Sequence, residues 1–521
     1  MIKKNLFLLG LIISFTFVEA DPPWAGELHL SLKQAVEIGI LKNREVIVEK
    51  YLHRMSLEKI LEAKGIFDPV LLSSLEGLRS EIPIAEIFYP TGYYKEKALR
   101  GGLGLKGKIF SGADYGIDVF MERYTTTSQV VTLSPRYSTR LEFSLIQPLL
   151  KDFGESILRT KIRMAEQGVE ATKHDVKERV IRTVNSVEEG YWNLVMAREI
   201  RNFHQEALNV AQRLIQEVEV KVKAGELAPI ELIRAKSEAA LMEENLIFAE
   251  NELKKTEFDL KLILGIPEEE DHLIPLDTPN EIIKRANLSE AMELAYKNRA
   301  DLQAAKFRIE QKKIEEQYLK NQLLPKLDLI GKYGKRGLSG RPSPVIGSGG
   351  EPVGDRVKGT PFEGETSPWD AFDDILPTYG YNYWSVGLKF EFPLGNRTAE
   401  GKYRYTKLER LKMETELKGL SERISNEIKK AALDIDTALK MREAAKMTME
   451  FMAESLRVEE KRLRAGESTV SEVLKIQKDL TEARARYLKA LVEYHKAWSR
   501  LRMAEGTSLE EYEIEFNEKI S

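Results

Sequence analysis

Gly102-Leu103-Gly104-Leu105-Lys106-Gly107 carries the GxGxxG spacing with which a glycine-rich loop brings backbone N–H groups against a phosphate. That chemistry needs a strand before the motif and a helix after it. Alternating, strand-like residues follow here instead, so no dinucleotide site is expected. The six histidines (His29, His53, His174, His204, His272 and His495) lack the mutual spacing of zinc ligands. The 521 residues include no cysteine, which removes disulfides, thiolate nucleophiles, thiolate metal sites and an N-terminal lipidated Cys. Acids such as Glu243 and Glu244 lie among Lys and Arg on helical stretches and read as solvated. No Ser-His-Asp set and no carboxylate pair stands out. Glu231 and Glu472 each lie six residues past a glycine, in a helical first turn where the helix dipole favours a carboxylate. The expectation is a protein that is not an enzyme and holds neither cofactor nor metal.

The elements that carry these residues are mostly long helices. Charged residues make up 31% and hydrophobic ones 42% of the chain, with a mean hydropathy of -0.35, which suits polar helices better than several thick cores. A net charge of -4 gives no electrostatic case for nucleic acid. From Val176, apolar residues fall at Val180, Ile181, Val184, Val187, Tyr191, Trp192, Leu194 and Val195, close to a 3.6 period. The pattern holds from Ser156 to Lys223 without a proline, about 100 Å of helix. A second helix is expected from Pro229 to Leu264, with counterparts at 400–464 and 468–504.

Arg140-Leu141-Glu142-Phe143-Ser144-Leu145 and Trp384-Ser385-Val386-Gly387-Leu388-Lys389-Phe390-Glu391-Phe392 alternate strictly, apolar on one face and polar on the other, as a barrel wall does between lipid and water. Phe88, Tyr89, Tyr93, Tyr94, Tyr379, Tyr381, Tyr383 and Trp384 resemble an interfacial girdle. Gly337 to Gly380 is rich in Gly and Pro and reads as a long loop. Leu103 to Ile109 and Tyr115 to Met121 suggest an extra hairpin around Ser111-Gly112-Ala113-Asp114, either in the wall or projecting from it. About four strands per chain cannot close a wide barrel, so a wall of this kind has to be shared between copies.

Lys3 and Lys4 precede an apolar run from Leu6 to Val18, and Val18-Glu19-Ala20 offers a cleavage site, the pattern of a secretory signal removed after Ala20. An uncleaved anchor is the alternative, but the run is short for a helical span. No later stretch is apolar enough to span a membrane as a helix.

The chain repeats itself. Ala35-Val36-Glu37-Ile38 and Lys42-Asn43-Arg44 correspond to Ala291-Met292-Glu293-Leu294 and Lys297-Asn298-Arg299, and Pro69 to Pro325. Lys223-Ala224-Gly225-Glu226 corresponds to Arg464-Ala465-Gly466-Glu467, and Gly265 to Gly506. A tandem duplication follows, each copy being helix, strand pair, long helix, turn and long helix. The expected organisation is a signal peptide at 1–20; a first repeat at 21–265 with strands in 69–147 and a helical hairpin at 155–264; and a linker at 266–287. A second repeat follows at 288–506, with strands at 325–335 and 383–393 and a hairpin at 400–504, and then a tail at 507–521.

This plan resembles the TolC family of outer-membrane efflux proteins over nearly all of the mature chain. Leu32-Lys33-Gln34-Ala35-Val36-Glu37-Ile38, Gln147-Pro148-Leu149-Leu150-Lys151-Asp152-Phe153-Gly154 and Phe392-Pro393-Leu394-Gly395-Asn396-Arg397 carry the likeness. The resemblance implies a mainly helical protomer with a β-barrel portion, a homotrimer with a twelve-stranded barrel in outer-membrane lipid, and a helical tunnel in the periplasm. It implies two partners, a periplasmic adaptor and an inner-membrane transporter, and passive conduction of drugs, metals or other small molecules. Type I protein secretion is the alternative cargo, and a periplasmic adaptor or coiled-coil scaffold the alternative class. The resemblance further implies that Gly225, Leu227, Gly466 and Val470 lie at periplasmic tips that dock the adaptor. It places Glu231 and Glu472 at the entrance, with Lys475 standing where the family has a second acid, so that a carboxylate ring is weaker here or paired with Lys475.

Overall fold

The computed structural model describes residues 26–84, 92–128, 131–267, 272–280, 284–343, 366–376 and 381–514, together with 364 and 516. The expected signal peptide, Phe88, Tyr89, Tyr379 and much of the glycine-rich stretch lie outside them. In chain order the elements are β1 (Glu27–Leu30), α1 (Leu32–Lys42), α2 (Arg44–Lys64), β2 (Val70–Pro83), β3 (Tyr93–Lys108), β4 (Asp114–Thr126) and β5 (Leu133–Pro148). Then come α3 (Glu155–Leu158), α4 (Thr160–Lys223), α5 (Pro229–Leu264), β6 (His272–Pro275), α6 (Leu288–Asn298) and α7 (Ala300–Asn321). The chain continues with β7 (Lys326–Pro342), α8 (Pro368–Asp373), β8 (Tyr381–Glu391), α9 (Arg397–Arg464) and α10 (Val470–Glu505). No described helix is long and apolar enough to cross a membrane.

Local chemistry sets the boundaries. Ser31 opens α1 with a capping box: its hydroxyl accepts from the Gln34 N–H at 3.3 Å while the Gln34 side chain accepts from the Ser31 N–H at 3.0 Å. Asn43 breaks α1 from α2, its Oδ1 accepting from the Glu45 N–H at 2.9 Å. Arg299 separates α6 from α7, one residue past Asn298, the expected counterpart of Asn43. Pro69 and Pro325 each stand just before a strand, β2 and β7, as residues that cannot continue a helix.

The described residues form two compact units, each drawing on both of the expected repeats. One gathers the residues up to Ile47, Arg179–Asn298 and Asn426–Glu515; the other comprises Val48–Glu178, Arg299–Ser425 and the residues from Phe516 on. In the first unit, β1 pairs in parallel with β6, and Val36, Ile181, Tyr191, Leu194, Leu260, Leu264, Leu474 and Leu501 are fully buried. Each such aliphatic side chain contributes about 1.5–3 kcal/mol on burial. Glycine permits this packing at Gly39, where a Cβ would stand 2.7 Å from Val187 Cγ2. Glu257 and Lys261, both buried, pair at 3.1 Å, and Glu257 also accepts from the Leu273 N–H, fastening β6 to α5.

The second unit is built on one antiparallel sheet in the order β2-β3-β4-β5-β7-β8. It has six strands where the sequence suggested about four, because the hairpin of β3 and β4 is inserted between β2 and β5. The second-copy strand is also longer than 325–335: residues 337–342, read as loop, extend β7. Further into that stretch α8 starts at a Ser367 capping box and is held to β7 by the Leu338 N–H donating to Asp374 Oδ2 at 3.1 Å.

Candidate functional site: the two-faced sheet and the helical turns

Strand alternation gives the sheet of the second unit two chemically distinct faces. One register row runs Leu71, Leu105, Ile117, Phe143, Tyr333, Trp384 across all six strands and is apolar throughout. Leu75, Leu99, Leu103, Leu145, Val386, Leu388 and Phe390 share this face and are exposed. The opposite face carries charge. Arg100 bridges Glu76 at 3.6 Å and Glu122 at 2.8 Å, and Arg136 reaches Glu122 at 3.5 Å. Glu142 accepts from Lys332 at 3.2 Å and from the Tyr383 hydroxyl at 2.6 Å. Ser74, Glu76, Arg100, Phe120, Glu122 and Arg140 line one hollow of about 780 Å³, so the polar face is concave there.

The expected aromatic girdle divides between the faces. Neighbouring residues of a strand point opposite ways, so Trp384 lies on the apolar face while Tyr381 and Tyr383 lie on the polar one. Tyr383 is occupied by Glu142 and by the Arg336 guanidinium 4.6 Å from its ring centre. The glycine motif lies within β3, with no helix after it. Its glycines answer packing, since a Cβ on Gly102 would meet Ser74 Oγ at 2.8 Å and one on Gly104 would meet the Asp118 carboxylate.

In the first unit, the two inter-helical turns share one geometry. Gly225 and Gly466 have φ of 81° and 78°, the left-handed region that glycine enters without steric cost. The Gly225 N–H donates to Val222 O at 3.1 Å and the Glu226 N–H to Lys221 O at 2.9 Å. Gly466 donates to Leu463 O at 3.1 Å and Glu467 to Arg462 O at 2.8 Å. Both are Schellman closures of the helix end. Pro229 starts α5 and the Thr469 hydroxyl caps α10, accepting from the Glu472 N–H at 3.3 Å.

The turns differ in their side chains. Glu231 is held by Arg234 at 3.1 Å, whereas Glu472 and Lys475 are both exposed and, among the described residues, no ion pair joins them. Leu227 is half-buried. Val470 packs against a core of Ala207, Leu208, Ala211, Ala235, Ala239, Met242, Leu246 and Leu474, so part of this expected docking side chain serves the interior. Beneath the second turn, buried Glu459 accepts from the Ser468 hydroxyl and pairs with Arg462 at 3.1 Å. Val218, 1% exposed, stands seven residues before Gly225, as Glu459 stands seven before Gly466.

Sequence reasoning also missed the buried acid Glu188. Glu188 is fully buried, pairs with Arg502 at 2.8 Å and accepts from the hydroxyls of Ser499 and Tyr512. Its signal was an acid inside the apolar stripe of Val184, Val187 and Tyr191. Nearby, the Tyr191 hydroxyl donates to Asp277 Oδ2 at 2.7 Å and accepts from the N–H groups of Leu276 and Asp277. Burial raises the Tyr191 pKa, keeping this hub a neutral hydroxyl. Among the described residues no cluster of His, Asp or Glu could hold a metal ion.

Residues 291–507 match the family model described as outer membrane efflux protein. Among solved structures, the chain is similar to the outer-membrane channel OprN, with a TM-score of 0.63 and 16% identity over 91% of this chain and 90% of that one. It is similar to the Campylobacter jejuni CmeC outer membrane channel, with a TM-score of 0.62 and 15% identity over 92% and 86%. The open state of the Neisseria gonorrhoeae MtrE outer membrane channel aligns with a TM-score of 0.62 and 16% identity over 92% and 89%. No curated protein matches by sequence.

Proposed function

We propose that this chain, whose residues 291–507 match the outer membrane efflux protein family model, is the protomer of a homotrimeric outer-membrane channel that passively conducts drugs, metals or other small molecules. The observation that carries this reading is the apolar row across all six strands, backed by a charged concave face. Exposed apolar rows of that extent are unfavourable in water and suited to lipid, while the charged side suits a wet lumen. Closure through further copies follows from the physics of the bilayer, which leaves no sheet edge unpaired.

The helical hairpins extend into the periplasm in this reading, and the turns at Gly225 and Gly466 meet a periplasmic adaptor coupled to an inner-membrane transporter. Energy enters at that transporter, and the channel contributes a continuous polar path. Glu472 at the second turn acts as an entrance charge, tempered by Lys475. No residue set in the chain is assigned chemistry.

The test is the native mass, by light scattering, of mature protein extracted with detergent from the outer-membrane fraction, paired with a gene deletion scored for drug sensitivity and for secreted proteins. A trimer in that fraction and lost drug tolerance are expected. Recovery from the periplasm without detergent would sink the channel reading. Loss of a secreted protein with unchanged tolerance would replace efflux by type I secretion.

A further inference from the structure

We infer that β3 and β4 are part of the conduit wall, so that three copies close a barrel of eighteen strands rather than twelve; this rests on the trimeric channel reading above. Three features of the second unit carry it. The first is continuity. β2 pairs with β3 over its whole length, from Val70↔Lys106 to Pro83↔Tyr93, and β4 pairs with β5 from Asp114↔Ile146 to Tyr124↔Arg136. β2 has no direct pairing with β5, so a hairpin that swung out of the wall would strip β2 of its ladder partner within the chain. Inside a bilayer such unpaired N–H and C=O groups find no water to replace them.

The second feature is the match of both faces. Leu99, Leu103, Leu105, Ile117 and Val119 of the inserted hairpin stand on the same face as Leu75, Phe143 and Val386. On the concave face the salt-bridge row Glu76–Arg100–Glu122 runs through the hairpin rather than around it. A projecting hairpin has no reason to be apolar on the lipid side and charged on the lumen side in register with its neighbours.

The third is the anchoring of its turn. Ser111 Oγ donates to Gln147 Oε1 at 2.7 Å and the Gly154 N–H donates to Ser111 O at 3.2 Å. Gly112, with φ of 91°, sits so close that a Cβ would stand 2.7 Å from Asp152 O. The turn is thus docked on the junction between β5 and α3.

Barrel diameter grows roughly linearly with strand number, so the exit would be about 1.5 times as wide as that of a twelve-stranded relative, and barrels of roughly 16–18 strands hold an open aqueous channel. Its lining carries both signs of charge, from Glu76, Glu122 and Glu142 to Arg100, Arg140 and Lys332. Such a lining passes bulky hydrated cargo without strong charge selection.

Electron cryomicroscopy of the full-length trimer in lipid nanodiscs reads the count directly. Eighteen strands around the ring are expected. A ring of twelve, with residues 93–126 outside it, overturns the inference and leaves the trimeric channel intact. A particle without threefold symmetry overturns the channel reading and the inference together. Single cysteines in this cysteine-free chain give a second measurement. Leu103→Cys should lose labelling by a membrane-impermeant thiol reagent and be quenched by spin-labelled lipid, while Arg100→Cys keeps its labelling. Equal labelling at both positions would overturn the placement.

Discussion

Glu188 on α4 and Arg502 on α10 meet at 2.8 Å with the carboxylate closed off from solvent. The Tyr512 hydroxyl donates to the same carboxylate, so one acid ties the last long helix to the short 3-10 turn that follows it. Removing one member of a buried pair leaves the other charge uncompensated, a larger loss than the pair itself contributes. Glu188→Ala should therefore destabilise the protein by about 3–5 kcal/mol, read as a fall in the denaturant midpoint. Replacing both Glu188 and Arg502 by Met should recover part of that loss. A Glu188→Ala protein with an unchanged midpoint would remove the pair from the account of stability.

The glycine turns are strained for any other residue. A side chain forced into the left-handed region costs about 1–2 kcal/mol, and nothing crowds a Cβ at Gly225 or Gly466, so the effect is conformational and local. Gly225→Val with Gly466→Val should leave trimers intact on native gels while adaptor cross-linking in cells falls sharply. Undiminished cross-linking would take adaptor docking away from these turns.

Charge at the entrance should be carried unequally. Glu231 is engaged by Arg234, whereas Glu472 has no cation within reach among the described residues. In planar bilayers, Glu472→Gln should lower cation preference, Lys475→Ala should raise it, and Glu231→Gln should change it least. Reversal potentials in a salt gradient give the readout, and equal effects of the two glutamate changes would contradict the assignment.

Acid should loosen the fold through its histidines. Burial is the largest cause holding the pKa values of His53, His174, His204 and His495 below the ordinary imidazole value. His495 is stacked on Trp192 with ring centres 4.6 Å apart, and its Nε2 lies 3.1 Å from Asn280 O. As pH falls, the unfolded chain takes up these protons first, so their contribution is fully present above about pH 6.5 and declines below it. Half-buried Asp175 and Glu505 have raised pKa values, chiefly through desolvation, and act in the opposite sense. The thermal midpoint should drop between about pH 7 and pH 5.5, and the drop should be smaller in His495→Gln. A midpoint flat across that range would refute the effect.

Much of this architecture could be read from residue order. The capping residue Ser31, the prolines before β2 and β7, and the paired turn glycines are local signals, fixed by backbone chemistry within a few residues. The alternation of 140–145 and 384–392 likewise identified strands. What escaped were features that need a partner distant in sequence. Whether β3 and β4 belong to the wall depends on the register of Leu105 with both Leu71 and Ile117, and nothing in any single segment encodes that. Tyr383 looked like a girdle residue until its face was known. Glu188 and Glu459 do not stand out in the sequence because their partners lie on another helix or across a turn. At the turns the glycine geometry was legible, while the engagement of Glu231 by Arg234 and the inward packing of Val470 depended on side-chain placement.

The sheet ends in two open edges, Val70–Pro83 on one side and Tyr381–Glu391 on the other. A lone copy can satisfy neither of them in lipid. On the proposed channel reading, insertion and subunit association are therefore one event, and its rate should climb steeply with the concentration of newly exported chains. If the proposed channel reading holds, every copy must reach that event with an apolar sheet surface uncovered, and its survival depends on whatever shields it in transit.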